Sequence, residues 1–298
     1  MSMLWKGYHA STMNTAAPLL ALVAAACFGS ALIVAQFGFR RMAARDGATV
    51  SVLFTVAVWW ALSPLFLDLE GWHVGALALF ALVGLFYPAI VTLLTYESNR
   101  QLGPTLTGAV SCTAPLFAVA TAVLFLGERL ALPIAAGGAV VVAGLMLLST
   151  RAPMRSAPGW RLALPVSGAV LRGVAQTLTK LGLTLWPNPF TAALVGYSAS
   201  AAVMLGASAV ASPQGTPRLS RAGVLWFMGV GALNGAAVLL MYYALTVGSV
   251  SVVSPIVATY PLFTMLFSAI FLKTETLSPK AVTGVILAVA GVVLIVIA

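Results

Sequence analysis

Arg172, Gln176 and Lys180 fall at i, i+4 and i+8 in the apolar stretch LALPVSGAVLRGVAQTLTKLGLTLW. A helix there carries all three on one face, with Thr179 beside them. The chemistry of that face is anion recognition. A guanidinium presents a planar fork that takes a carboxylate or phosphate through two parallel hydrogen bonds. Arg172 lies near the middle of the stretch, where a charge facing lipid costs about 2.5–3.5 kcal/mol on insertion scales. The face must therefore turn to the protein interior or to a watery cavity. No Asp or Glu stands deep in any apolar stretch: Glu97, Glu128 and Glu275 close stretches, and Asp46, Asp68 and Glu70 lie between them. Two readings of Arg172 follow. It meets an anionic group of a substrate, or it braces the bundle through backbone carbonyls or Glu97. Lys180, two turns on, is expected to snorkel to an interface.

Four more polar residues inside apolar stretches join Arg172 and Gln176 as substrate-binding candidates. Tyr87 with Pro88 interrupts the third stretch, Asn234 sits within the eighth, and Gln36 lies late in the first. Tyr260 heads a row with Thr264 and Ser268 at helical spacing in the ninth. Each lines a cavity or bonds to a neighbouring helix, the latter worth about 0.6 kcal/mol on average in membranes. Pro115 and Pro261 stand mid-stretch at matching places, where each removes a backbone donor and bends the helix. Glu128, beside Arg129, and Glu275 are expected to make helix-end or interfacial contacts, a structural role.

Enzyme chemistry finds no foothold. His9 and His73 are the only histidines, and no Gly-x-Ser-x-Gly, His-Glu-x-x-His or phosphate-cradling Gly-rich loop occurs. Cys27 and Cys112 lie in apolar stretches without metal-ligand spacing. No cofactor or metal is expected, and transport without an ATP motif implies a gradient as driving force.

The elements that must position these residues are membrane helices. Hydrophobic residues make up 61% of the 298 residues and charged ones 7%, against about a half and a quarter in a soluble domain. The apolar runs are continuous for about 20 residues, the length of a helix across a hydrocarbon core of about 30 Å, and do not alternate as barrel strands do. Ten spans are expected, near 15–39, 47–67, 74–96, 104–126, 131–149, 160–185, 190–211, 222–245, 250–272 and 279–297. The N-terminal run is too long for a signal peptide and more spans follow it. The net charge of +9 resides mostly in short loops, where bases orient membrane proteins, so nucleic acid is not the expected partner.

The two halves resemble each other. PLFAVATAVLFLGERL begins at Pro115 and PLFTMLFSAIFLKTETL at Pro261; one offset, 147, relates Glu128 to Glu275, Gly144 to Gly291, Tyr96 to Tyr243 and Gly84 to Gly231. The chain divides into a tail (1–14), a first repeat (15–150), a linker (151–159) and a second repeat (160–298). Five helices per repeat reverse the second copy, which places a substrate near the midplane between inverted halves.

The mid-span Pro, the run ending LFLGERL at 124–130 and the Ala/Gly-rich span after it resemble the EamA-type permeases of the drug/metabolite transporter superfamily. GPTLTGAVSCTAPLF at 103–117 and Gly29 in ACFGSAL strengthen the resemblance, which covers nearly the whole chain; FLKTETL in the second half departs from it. It implies an all-α integral membrane protein in which two inverted five-helix repeats surround a central cavity opening alternately to each side. Lys and Arg number about eleven in loops on one side and about two on the other. The charge rule puts the termini outside the cytoplasm, whereas the resemblance implies cytoplasmic termini.

The expected function is export of small metabolites by a permease of the bacterial inner membrane, amino acids first. The expected partners are a small molecule bearing a carboxylate or phosphate and the lipid bilayer, with a homodimer left open. The lack of a deep carboxylate argues against a dedicated exporter of cationic drugs; it also removes the commonest proton carrier, so facilitated diffusion or substrate exchange is expected. Two rivals stand beside it: a flippase for a lipid-linked anion, and a non-transporting membrane partner or sensor.

Overall fold

The computed structural model describes residues 2–102, 107, 110–149, 159–210, 220–272 and 279–298. Among the described residues all regular structure is helical. The first half comprises α1 (Ser2–Phe39), α2 (Ala44–Phe66), α3 (Val74–Phe86), α4 (Ala89–Leu102), α5 (Ala114–Leu126) and α6 (Leu132–Ser149). After a 3₁₀ turn at Gly159–Leu162 come α7 (Ala163–Leu185), α8 (Pro189–Val210), α9 (Arg221–Val247), α10 (Val250–Val257), α11 (Tyr260–Phe267), a π turn at Ser268–Leu272, and α12 (Pro279–Val296). Helix α1 begins inside the segment expected as a tail.

Local chemistry sets the helix ends. Asp46 sits in the first turn of α2, where a negative charge complements the helix dipole. His73 caps α3 by accepting from Ala76 N at 3.3 Å, and Ser220 caps α9 by accepting from Gly223 N at 3.0 Å. Helix α5 ends at Gly127, whose φ of 64° is the left-handed conformation open to glycine.

The solvent for most of this surface is lipid. Leu124, Phe125 and Leu132 expose 76%, 73% and 81% of their surface, far beyond what isolated apolar residues on a soluble domain require. Among the described residues, seven segments are long and apolar enough to cross a membrane: Ala16–Phe39, Ala44–Phe66, Val74–Thr92, Pro189–Gly206, Arg221–Val247, Val250–Phe271 and Pro279–Val296. Ala114–Leu126 and Leu132–Leu148 are shorter apolar helices. Helix α7 has 23 residues, about 35 Å at 1.5 Å per residue, with Arg172 and Lys180 lowering its hydropathy.

The interior is built from small residues, as expected where helices associate by close packing rather than by expulsion of water. Ala21, Ala24, Ala118, Ala122, Ala193, Ala237, Ala244 and Ala288 are fully buried. The contacts between the halves come in matched pairs. A Cβ on Gly29 of α1 would stand 2.7 Å from Phe263 Cβ of α11, and one on Gly173 of α7 would stand 2.8 Å from Phe117 Cβ of α5. The carbonyl of Gly84 in α3 accepts from Ser200 Oγ of α8 at 2.6 Å. That of Gly231 in α9 accepts from Thr55 Oγ1 of α2 at 2.8 Å. Helices α6 and α12 meet directly: Gly137 packs on the Gly291 carbonyl and Gly144 on the Gly284 carbonyl. As the number rises along one helix it falls along the other, so the two run antiparallel.

Candidate functional site

The site is organised by two helix breaks with the same hydrogen bonds. Before α5, Thr113 N and Thr113 Oγ1 both donate to Val110 O, at 3.0 and 2.6 Å, and Leu116 N donates to Thr113 O at 2.9 Å. Before α11, Thr259 N and Thr259 Oγ1 both donate to Ile256 O, at 3.1 and 2.6 Å, and Leu262 N donates to Thr259 O at 2.9 Å. Pro115 and Pro261 occupy the first turns of the helices that follow. A proline there lacks the donor that would continue the preceding helix, and the threonine hydroxyl satisfies a carbonyl at the break. A helix is thus interrupted just before each of the two prolines.

Each break presses against a glycine on a helix of the other half, and Arg172 adjoins one of them, Gly173. Helix α7 is held against α5 at this level by Thr177 Oγ1, 2.7 Å from Thr121 Oγ1 and 3.3 Å from Ala118 O. The face bearing Arg172 and Gln176 thereby points away from lipid, and both residues are half-buried. Arg172 Nη2 donates to Thr95 Oγ1 of α4 at 3.3 Å, and the guanidinium lies within electrostatic reach of Tyr260 at the start of α11. Tyr87, at the α3–α4 break, lies within electrostatic reach of Arg172 and of Tyr260. Tyr197 of α8 and Tyr242 of α9, both buried, extend this group, and Tyr242 lies beside Thr179. Phe28, the residue before Gly29, meets the Tyr260 ring edge-on at 6.4 Å. The result is one guanidinium among phenol rings and hydroxyls drawn from both halves.

Gln176 Oε1 is buried without a hydrogen-bond partner, an uncommon condition for an interior acceptor. Glu97, the acid named above as a possible brace for Arg172, accepts from Gln101 Nε2 at 2.5 Å.

Of the six substrate-binding candidates, Arg172, Tyr87 and Tyr260 are brought together, and Gln176 shares the Arg172 face one turn away. Asn234 is half-buried at the midpoint of α9, beside Gly235, which packs on Thr55 and Trp59. Gln36 is exposed, three residues before the end of α1. Thr95, Tyr197, Tyr242 and the break threonines escaped sequence reasoning.

The amine of Lys180, expected to snorkel, donates to Leu245 O at 2.6 Å and Gly248 O at 2.9 Å, closing the C-terminus of α9. Glu128 makes the expected helix-end contact, but with a helix of the other half. Its Oε1 accepts from Val250 N at 2.8 Å, and its Oε2 from Ser251 N at 3.0 Å and Ser251 Oγ at 2.5 Å, at the N-terminus of α10. Glu275 lies outside the described residues.

A family model for EamA-like transporters matches residues 15–150 and again 160–297. The chain belongs to the EamA-like transporter family. This EamA-like protein is therefore a multi-pass membrane transporter of the drug/metabolite transporter superfamily, acting on small molecules rather than catalysing a reaction. A solved structure titled "Crystal structure of protein" superposes with a TM-score of 0.75 over 93% of this chain and 95% of that one, at 16% identity; that likeness concerns the fold. Comparison with curated proteins returned no match. In this EamA-like chain the two matched segments are those whose helix breaks, glycine contacts and carbonyl–hydroxyl bonds pair off above.

Proposed function

We propose that this transporter exports small metabolites, amino acids first among them, across a bacterial inner membrane. It works by alternating access in ten transmembrane helices, arranged as two inverted five-helix repeats around a central cavity. The arrangement is supported by the paired contacts between halves and by the antiparallel meeting of α6 and α12, the relation that an inverting two-fold axis imposes on equivalent helices.

The single observation carrying the substrate reading is that the Arg172 guanidinium donates to the Thr95 hydroxyl, with the Tyr260 phenol within electrostatic reach. Neutral partners orient the cation and leave its charge to be met by an anion. A substrate carboxylate takes the guanidinium fork, Gln176 Oε1 accepts from a substrate donor, and the faces of Tyr87 and Tyr260 attract the ammonium group. A zwitterion thus finds a partner for each end without a buried acid.

The experiment is counterflow in liposomes holding the purified protein, preloaded in turn with each amino acid and assayed for uptake of the labelled compound. Saturable counterflow with at least one is expected. If none of them supports it while a phosphorylated metabolite does, the amino-acid reading is wrong and the anion reading of Arg172 stands.

A further inference from the structure

Lys180 and Glu128 work on the same few residues from opposite sides. The amine of Lys180 holds the last carbonyls of α9, and the carboxylate of Glu128 holds the first amides of α10. Only Gly248 and Ser249 separate the two helices. Each charge matches the dipole end it touches, positive at a C-terminus and negative at an N-terminus, and the two charges are close enough to interact. Glu128 comes from the first repeat and the other partners from the second, so the contact ties the repeats together at one end of the bundle.

We propose that Lys180 and Glu128 form a charged clamp that keeps this end of the transporter closed, and that α7 couples it to the substrate site. Lys180 stands eight residues from Arg172 on one face of one continuous helix, about 12 Å along its axis. A tilt of α7 that follows a ligand on Arg172 moves the Lys180 amine off the α9 carbonyls, which leaves the Glu128 contacts with α10 as the remaining half of the clamp. The position equivalent to Lys180 differs in the other repeat. The matched contacts of Gly29 and Gly173 make Gln36 the counterpart of Lys180, since each lies seven residues after its glycine, and Gln36 is neutral and exposed.

This inference rests on the alternating-access reading but not on the substrate's identity, so the test uses no substrate. Spin labels are placed at Leu130→Cys, which is exposed, and at Ser249→Cys, whose side chain makes no cap bond, in the full chain carrying Cys27→Ala and Cys112→Ala. Label-to-label distances are read in liposomes for the clamp as it stands and with Lys180→Met, Lys180→Arg, Glu128→Gln or Ser251→Ala. The intact clamp is expected to show one dominant short distance. Lys180→Met and Glu128→Gln are expected to raise the longer-distance population about tenfold, the weight of one charge-assisted hydrogen bond. Ser251→Ala should raise it less, and Lys180→Arg least. Folded variants that keep the original distance distribution overturn the clamp. So does failure of every variant to fold, which would make the contact scaffold alone.

Discussion

Arg172 and Tyr260 belong to different spans of the second repeat, yet the guanidinium lies within electrostatic reach of the phenol. If that pairing orients the cation for a substrate anion, Arg172→Ala removes both the charge and its geometry. Transport in liposomes is expected to fall at least about a hundredfold, since an ionic hydrogen bond and its partner are both lost, while the elution profile stays monodisperse. Arg172→Lys should recover only part, because an ammonium lacks the planar fork. Tyr260→Phe should cost a few-fold, in line with about 1 kcal/mol for one polar contact.

Gln176 separates stability from function. Its Oε1 is buried without a partner, so Gln176→Leu relieves an unpaired acceptor whose desolvation costs about 1–3 kcal/mol. The apparent melting temperature in detergent is expected to hold or rise, and transport to fall several-fold. A variant that melts lower and transports normally would place Gln176 in the packing alone.

The prolines make a prediction of opposite sign for rate and rigidity. Pro261→Ala restores the missing backbone donor and removes a bend worth about 3 kcal/mol against a straight helix. Thermal stability should be unchanged or higher, and the initial transport rate at saturating substrate should drop about tenfold or more. Pro115→Ala is expected to do the same in the other half. Equal rates for parent and variants would show that the bends only pack.

At the α6–α12 contact, a Cβ on Gly144 would come within 2.6 Å of Ala288 N and of the Gly284 carbonyl. Gly144→Val overpacks a backbone-to-backbone seam and is expected to destabilise by about 1–3 kcal/mol, read as a lower melting temperature. Gly138→Val serves as its control, because a Cβ there meets only Pro255 Cγ at 3.6 Å.

Much of this molecule was legible in the chain. The cost of a charge in lipid turned Arg172 inward before any coordinates, and the spacing of Pro115 and Pro261 marked both breaks. The companions of Arg172 were not legible. Thr95, Tyr197 and Tyr242 sit on three other helices at unremarkable spacing, and only helix crossings bring them near. A signal for the break threonines was present, since Thr113 and Thr259 each stand two residues before the matched proline. The partners of Lys180 were not legible either, because the end of α9, which offers it two carbonyls, lies 65 and 68 residues further on. Glu128 announced a helix-end contact, but the helix it serves lies 122 residues further on.

The glycine seam between α6 and α12 also says where the two halves cannot slip. Each of its four glycines sits against a carbonyl of the opposite helix. A shift by one residue would drive Val141 or Ala288 into the opposing backbone. Whatever displacement the repeats undergo, here it is confined to pivoting: the seam is a fulcrum, and the excursion must grow with distance from it.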